Sequence, residues 1–165
     1  MFEYSTFNDH GKGAPVPEGH KVIPVHMVYD VKHDGRHKAR LVAGGHRTDT
    51  PIDSVYSGVV SLTGIRVVTF LAELNDLELW GTDIGNVYLE SYTKEKVAFI
   101  AGPEFGEFNG HTFVIIKAMY GLRSSGARWH DRLYDSLTGM GFTPCKSDPD
   151  IWMRACEDHY EDRKS

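Results

Sequence analysis

The sequence predicts an α+β fold in which short strands alternate with two helices. Three observations carry that prediction. Val22 to Lys32 and His37 to Gly44 are β-rich runs joined by His33-Asp34-Gly35-Arg36, and Asp-Gly between two such runs is the strongest short-range hairpin signal. Leu62, Ile65, Val68, Leu71 and Leu74 recur at helical spacing. Short apolar runs at 77–82, 96–101 and 113–117, bounded by glycine-containing turns, lead into a second helical pattern that ends near Met140-Gly141. A chain of 165 residues, 41% hydrophobic, can bury one sizeable core, so one domain or a large piece of one, without repeats or a linker-separated second domain, is expected.

Taken in order, residues 1–20 hold Gly11, Gly13, Pro15, Pro17 and Gly19 without any period, and read as an extended lead-in with no chemistry. In the hairpin beyond it, a two-residue Asp34-Gly35 turn sets Val31 opposite Lys38, Tyr29 opposite Arg40 and Met27 opposite Val42, with Lys38 and Arg40 on a shared face. Between 30 and 47, Lys32, Arg36, Lys38, Arg40 and Arg47 outnumber Asp30 and Asp34, so this arm is positive within a chain of net charge −5. Such an arm can clamp phosphates and lay a flat guanidinium on a base; the plainer reading is an edge strand kept soluble by charge. His33, His37 and His46 raise zinc, but no thiolate or fourth ligand accompanies them at a suitable spacing.

Residues 48–57 form a polar loop around Pro51, and Ser61 caps the helical stripe, which is expected to pack under the next strand. In that strand Leu77, Leu79 and Gly81 alternate with Glu78, Trp80 and Thr82, a half-buried pattern ending on Asp83. A carboxylate at the end of a strand faces the mouth of a sheet and can hold a hard cation. The plainer alternative is a solvated aspartate in a turn, capping the next helix. Gly85-Asn86 turns the chain and returns Tyr88 towards the same mouth. After the strands at 96–101 and 113–117, Tyr120 to His130 passes through a small-residue turn into the second helix, whose buried side is Trp129, Leu133, Ser136, Leu137 and Met140. Arg123, Arg128 and Arg132 cluster there, and a Ser124-Ser125-Gly126 turn opening a helix either receives phosphate on its free amides or is an ordinary capped start.

A pI near 6.0 excludes a whole-surface polyanion binder, so any nucleic-acid contact must be local. Met1-Phe2-Glu3-Tyr4 has neither a basic nor an apolar leader region, and the longest apolar run, around Ile65 to Leu74, is far too short for a bilayer. An intracellular, soluble protein without membrane partners is expected. Cys145 and Cys156 lack metal spacing and are expected as free thiols.

Several blocks together resemble the reverse transcriptase of Ty1/copia-type retrotransposons. They are Lys38-Ala39-Arg40-Leu41-Val42-Ala43, Ile65-Arg66, Thr82-Asp83-Ile84 to Tyr88-Leu89, Pro103 with Phe105, Tyr120-Gly121-Leu122 to Arg128-Trp129, and Gly141-Phe142 to Asp148-Pro149. They run in the family's order from about 22 to 155. The resemblance implies a fingers-and-palm architecture, the palm an antiparallel sheet packed on helices, over residues 21–156, with 1–20 leading in and 157–165 a charged tail. It implies RNA-directed DNA polymerase activity using Mg²⁺ or Mn²⁺ and dNTPs on an RNA template and primer hybrid, inside a Pol polyprotein, in the cytoplasm or in virus-like particles. On that mapping Asp83 is the first catalytic and metal-binding carboxylate. Tyr88 is the steric gate against a ribose 2′-hydroxyl, and Lys38 and Arg40, with Lys32, touch the incoming nucleotide. The Tyr120 to Trp129 block holds template and nucleotide.

The sequence also departs from the family. Two-metal nucleotidyl transfer places two ions about 4 Å apart, and one aspartate cannot ligate both. The Tyr-x-Asp-Asp hairpin expected just beyond Ile151 to Ala155 is missing, and no Asp-Asp pair occurs in the chain. Tyr160-Glu161-Asp162-Arg163 imitates it only superficially, and the turn at Ser124-Ser125 lacks the glutamine usual in relatives. The expectation is therefore an incomplete palm with little or no independent turnover. The alternative is a non-catalytic remnant that at most binds nucleic acid through the basic hairpin.

Overall fold

The computed structural model describes residues 4–48, 55–155 and 160–164, the last group as backbone. Cys156, residues 157–159 of the charged tail and most of the loop around Pro51 lie outside the described residues. The architecture is mixed α+β, and the chain gathers into two compact units, Met1–Tyr56 with Asn86–Trp129 and Ser57–Gly85 with His130–Ser165. No described helix is long and apolar enough to cross a membrane.

The first unit holds β1 (Phe7–Lys12), β2 (Lys21–Val22), β3 (Val25–Val31), β4 (His37–Ala43), β5 (Val97–Ile100) and β6 (His111–Ile115). Four of them make a sheet in the order β1-β6-β5-β2, antiparallel except for the parallel β5/β2 edge. Val97, Ala98 and Phe99 are all buried, as a strand covered on both faces requires. The centre is aromatic: Phe99 lies 5.2 Å from Phe7, 5.3 Å from Phe113 and 5.4 Å from Phe105, ring centroid to centroid. Each such pair adds about 0.5–1.5 kcal/mol beyond the area it buries.

β1 falls within the stretch read from sequence as a lead-in. It carries no period because its contribution to the core is Phe7, while Asn8, Asp9 and His10 stay exposed. Asp9 ties the glycine-rich segment down: its carboxylate accepts from Gly11 N at 2.8 Å and meets His111 Nδ1 at 3.0 Å.

β3 and β4 form the expected hairpin, but in a register one residue away from the expected one. Val31 faces His37, Asp30 faces Lys38, Val28 faces Arg40 and His26 faces Val42. The cause is the loop. Gly35 N donates to Lys32 O at 2.8 Å and Lys32 N to Arg36 O at 2.9 Å, so three residues, not two, lie between the closing pair, with Gly35 left-handed at φ +81°. Asp34 fixes this loop by accepting from Arg36 N at 3.1 Å and from its Nε at 2.8 Å. Lys38 and Arg40 still share a face, because they belong to one strand, but their neighbours are Asp30, Val28 and His26 and not Val31, Tyr29 and Met27.

The second unit contains α1 (Leu62–Leu74), β7 (Thr143–Pro144), β8 (Ile151–Ala155) and β9 (Tyr160–Lys164), together with most of α2 (Ser125–Gly139), which begins in the first unit. β7, β8 and β9 form an antiparallel sheet, so part of the expected tail is paired strand. Leu137, Phe142 and Trp152 make its small core, with Leu133 against it and Tyr134 edge-on to Trp152 at 4.9 Å.

α1 starts where expected. Ser61 Oγ accepts from Gly64 N at 2.9 Å, and Ser61 N donates to Asp148 Oδ2 at 2.9 Å. Its apolar stripe, however, is not the buried face expected. Leu62 is 61%, Leu71 41% and Leu74 67% exposed, and within the helix only Gly64 and Ala72 are buried. A helix buries a stripe only against another layer. The strand expected to provide that layer, 77–82, forms no ladder among the described residues; it is exposed throughout, with Leu79 at 61% and Trp80 at 88%.

Candidate functional site

The residues proposed from sequence divide between the units. Asp83 lies in the second, exposed, in the unpaired segment after α1. Lys32, Lys38, Arg40 and Tyr88 lie in the first.

Within the first unit the structure brings two of them onto one ring. The Arg40 guanidinium carbon stands 5.7 Å from the centre of the Tyr120 ring. Tyr88 meets the same ring edge-on, at 5.0 Å and an interplanar angle of 80°. Lys38 is half-buried on the same face of β4 as Arg40. Lys32 is exposed, at the closing pair of the hairpin loop, one residue beyond β3.

Each member is held locally. Tyr88 sits in a single 3₁₀ turn, Val87–Glu90, entered through left-handed Asn86 and anchored by buried Leu89. Asparagine is among the few side chains that accept that conformation. Tyr120 is fixed through its backbone: its carbonyl accepts from Ala43 N at 2.7 Å, at the end of β4. Gly121 has φ +92°, and a Cβ there would overlap the Ala43 carbonyl oxygen; a Cβ on Gly45 would overlap the Gly121 carbonyl oxygen. Two glycines thus let two backbones touch. Arg123 stitches the same junction, donating from Nε to Gly45 O and from Nη2 to His46 O, both at 3.1 Å.

The electrostatics around Arg40 are unusual. Its Nε is buried and makes no hydrogen bond, while Asp30 Oδ2 stands 4.0 Å from Nη1, close enough to attract but too far to bond. The rest of the guanidinium is partly exposed and has Asp30 only at that distance, so its charge is available to attract an anion.

The turn that opens α2 holds an anionic side chain. Glu95 already occupies it: its Oε1 accepts from Ser124 N at 2.9 Å and from Ser124 Oγ at 2.6 Å. Its carboxylate is bonded there by one amide and one hydroxyl, and sits where the positive end of the helix favours an anion. Sequence reasoning missed Glu95 because Lys94-Glu95-Lys96 reads as a charged surface run. It placed Tyr120 only within a block, because no period or spacing marks a residue whose position depends on contact with a distant strand.

Among the described residues no three histidine, cysteine, aspartate or glutamate side chains gather as a metal site, so the residues around Asp83 do not by themselves fit a divalent cation. Cys145 is a free thiol. Its Sγ lies 3.1 Å from Ser147 Oγ, a hydrogen bond that lowers its pKa.

Residues 13–159 match the family described as Reverse transcriptase (RNA-dependent DNA polymerase). The chain is 28% identical over 153 residues to the Retrovirus-related Pol polyprotein from transposon TNT 1-94 of Nicotiana tabacum, a match covering 87% of this chain and 11% of that protein. It is 31% identical over 119 residues to the Transposon Ty1-BL Gag-Pol polyprotein of Saccharomyces cerevisiae, covering 71% of this chain and 7% of that one. The chain therefore spans only a small part of the length of these curated relatives. No solved structure matches it. With most of its length inside the family match and both relatives being transposon Pol polyproteins, the chain belongs to the reverse transcriptase family, as a Ty1/copia-type Pol reverse transcriptase region.

Proposed function

We propose that this region supplies the fingers and the first part of the palm of an RNA-directed DNA polymerase, acting within a Pol polyprotein on an RNA template and its primer hybrid. The observation that carries the reading is the convergence of Arg40 and Tyr88 on Tyr120. Arg40, with Lys38 beside it, offers positive charge to the triphosphate of an incoming dNTP. Tyr88, braced edge-on by Tyr120, is a wall that does not swing aside, as exclusion of a ribose 2′-hydroxyl requires. Lys32, at the exposed end of the hairpin, extends the same positive arm.

Asp83 contributes one carboxylate. Two divalent ions need more oxygen ligands than it carries, so its part in a metal site depends on acids that the described residues do not assemble with it. That exposed, solitary position also favours the second reading, a non-catalytic region whose basic hairpin binds nucleic acid.

Titration calorimetry of the chain with a dNTP and the matching rNTP, with and without Mg²⁺, separates the two. The polymerase reading expects dNTP binding that weakens in Arg40→Ala, a preference over rNTP that narrows in Tyr88→Ala, and a Mg²⁺ dependence that disappears in Asp83→Asn. Absence of nucleotide binding, with salt-sensitive binding of RNA or DNA retained, establishes the second reading instead.

A further inference from the structure

The face around Tyr120 is assembled from separate stretches of the first unit, each bringing one of its members. β4 brings Arg40 and runs on through the 3₁₀ turn Gly45–Arg47 to Thr48. The turn Val87–Glu90 brings Tyr88 and runs on to Glu95, and the stretch before α2 brings Tyr120 and runs on to Ser124. Beyond the rings, all these stretches meet on one carboxylate. Glu95 Oε1 accepts from Ser124 N at 2.9 Å and from Ser124 Oγ at 2.6 Å. Thr48 Oγ1 donates to Gly45 O at 2.7 Å and shares that proton with Glu95 Oε2 at 3.3 Å.

The backbone behind the carboxylate is itself tied down. Ser91 N donates to Tyr88 O at 3.1 Å, and Ser91 O accepts from Ala118 N at 2.8 Å. Thr93 N donates to Ile116 O at 3.1 Å, Glu95 N to Thr93 Oγ1 at 3.1 Å, and Lys96 O accepts from Lys21 N at 2.9 Å. A held backbone and a gripping side chain make a strap between the Tyr88 stretch and the other two. The edge-on contact of Tyr88 with Tyr120 is too weak to hold two backbones by itself, so its geometry follows theirs.

We propose that Glu95 is a positioning residue for this face: by bonding the Tyr120 and Arg40 stretches to its own, it fixes Tyr88 edge-on against Tyr120 and thereby sets the preference for dNTP over rNTP. Its effect on nucleotide choice rests on the polymerase reading; its effect on the rings does not.

NMR of the tyrosine rings in the whole chain reports their placement, since each ring of an edge-on pair shifts the protons of the other; Tyr88→Phe and Tyr120→Phe assign the signals. Glu95→Ala is expected to move both towards the values of an unpaired tyrosine. Glu95→Asp, one methylene too short to span both partners, is expected to do the same. Glu95→Gln is expected to keep them, its Oε1 accepting from Ser124 and its Nε2 donating to Thr48 Oγ1. Thr112→Val is the control: it removes the 2.6 Å bond from Thr112 Oγ1 to Ala14 O, and should lower the unfolding temperature without moving the rings. By titration calorimetry the dNTP preference is expected to narrow about fivefold in Glu95→Ala, the worth of one net hydrogen bond, and to return in Glu95→Gln. The Asp and Gln variants decide the matter even if circular dichroism shows Glu95→Ala unfolded. Unmoved rings in Glu95→Ala and Glu95→Asp overturn the proposal, as do rings that move equally in Thr112→Val, or a preference unaltered where the rings move. Shifted rings in a chain that binds no nucleotide would instead remove the polymerase reading and leave the bracing of Tyr88 by Glu95 in place.

Discussion

Replacing Gly121 by alanine tests the junction on which the nucleotide-facing reading depends. The new Cβ would overlap the Ala43 carbonyl oxygen and come within 2.8 Å of Val42 Cγ1, and the residue would have to hold φ +92°. Backbone atoms cannot rotate away as the end of a lysine can, so either the turn or the end of β4 must shift. The left-handed conformation costs roughly 1–2 kcal/mol for a residue bearing a Cβ. Shifting breaks the 2.7 Å bond from Ala43 N to Tyr120 O; Ala43 is buried, and its orphaned N–H costs about 1–3 kcal/mol. Together the loss is about 2–5 kcal/mol, localised at the end of the hairpin. Hydrogen exchange measures it directly: the Ala43 amide is expected to exchange faster by at least about 30-fold. Gly139→Ala is the control, since nothing lies within 4 Å of its Cβ, and in a helix it should stabilise by up to about 1 kcal/mol. An unchanged Ala43 exchange rate in Gly121→Ala would refute the backbone contact and, with it, the placement of Tyr120 against Arg40.

The other contacts carry expectations of their own. Glu95→Ala strips the buried amide and hydroxyl of Ser124 of their acceptor and should cost about 1–3 kcal/mol, read as earlier thermal unfolding. Hydrogen bonds from the Ser61 side chain and backbone hold the Asp148 carboxyl below the usual aspartate value of 3.8, so its support for the start of α1 is complete above that value and is lost as pH falls through the lowered one; amide exchange at Gly64 should rise in that range, and Asp148→Asn should remove the dependence. Gly35→Ala, at φ +81° with open space around it, should loosen the hairpin by about 1–2 kcal/mol through backbone strain alone, visible as faster exchange at Lys32 N. Arg40→Lys keeps the charge but loses the planar fork, and should weaken dNTP binding nearly as much as Arg40→Ala, by calorimetry.

Sequence made legible whatever depends on neighbours in the chain. The β3–β4 hairpin, the Ser61 cap and the second helix each arise from residues a few positions apart, and each is present. The register of the hairpin was not legible at the same precision. Asp34-Gly35 suits both a two-residue turn and a three-residue loop ending on a left-handed glycine, and the Asp34–Arg36 bonds are consistent only with the loop the chain adopts. β1 was hidden because a strand that contributes chiefly one phenylalanine to the core shows no alternation. The α1 stripe and the 77–82 alternation misled in the opposite direction, since periodicity reports a capacity for burial and not the presence of a partner.

The candidate site shows the same division at higher stakes. Blocks of residue types pointed to Lys38, Arg40, Asp83 and Tyr88, but the convergence of Arg40 and Tyr88 on Tyr120 is a tertiary fact. Tyr120 stands far along the chain from Arg40, and they meet because Gly45 and Gly121 carry no side chains where the two backbones cross. The Ser124 turn illustrates the converse. As sequence it offers free amides at a helix start, yet a carboxylate from another segment, Glu95, takes the amide and hydroxyl of Ser124. One side-chain direction thus decides how the residue before α2 is held. If Glu95→Gln left thermal unfolding where it is, the hydrogen bonds of that side chain, not its charge, would be the quantity that matters. If unfolding instead came earlier, the negative charge of the acceptor would be what strengthens its bonds to the Ser124 amide and hydroxyl.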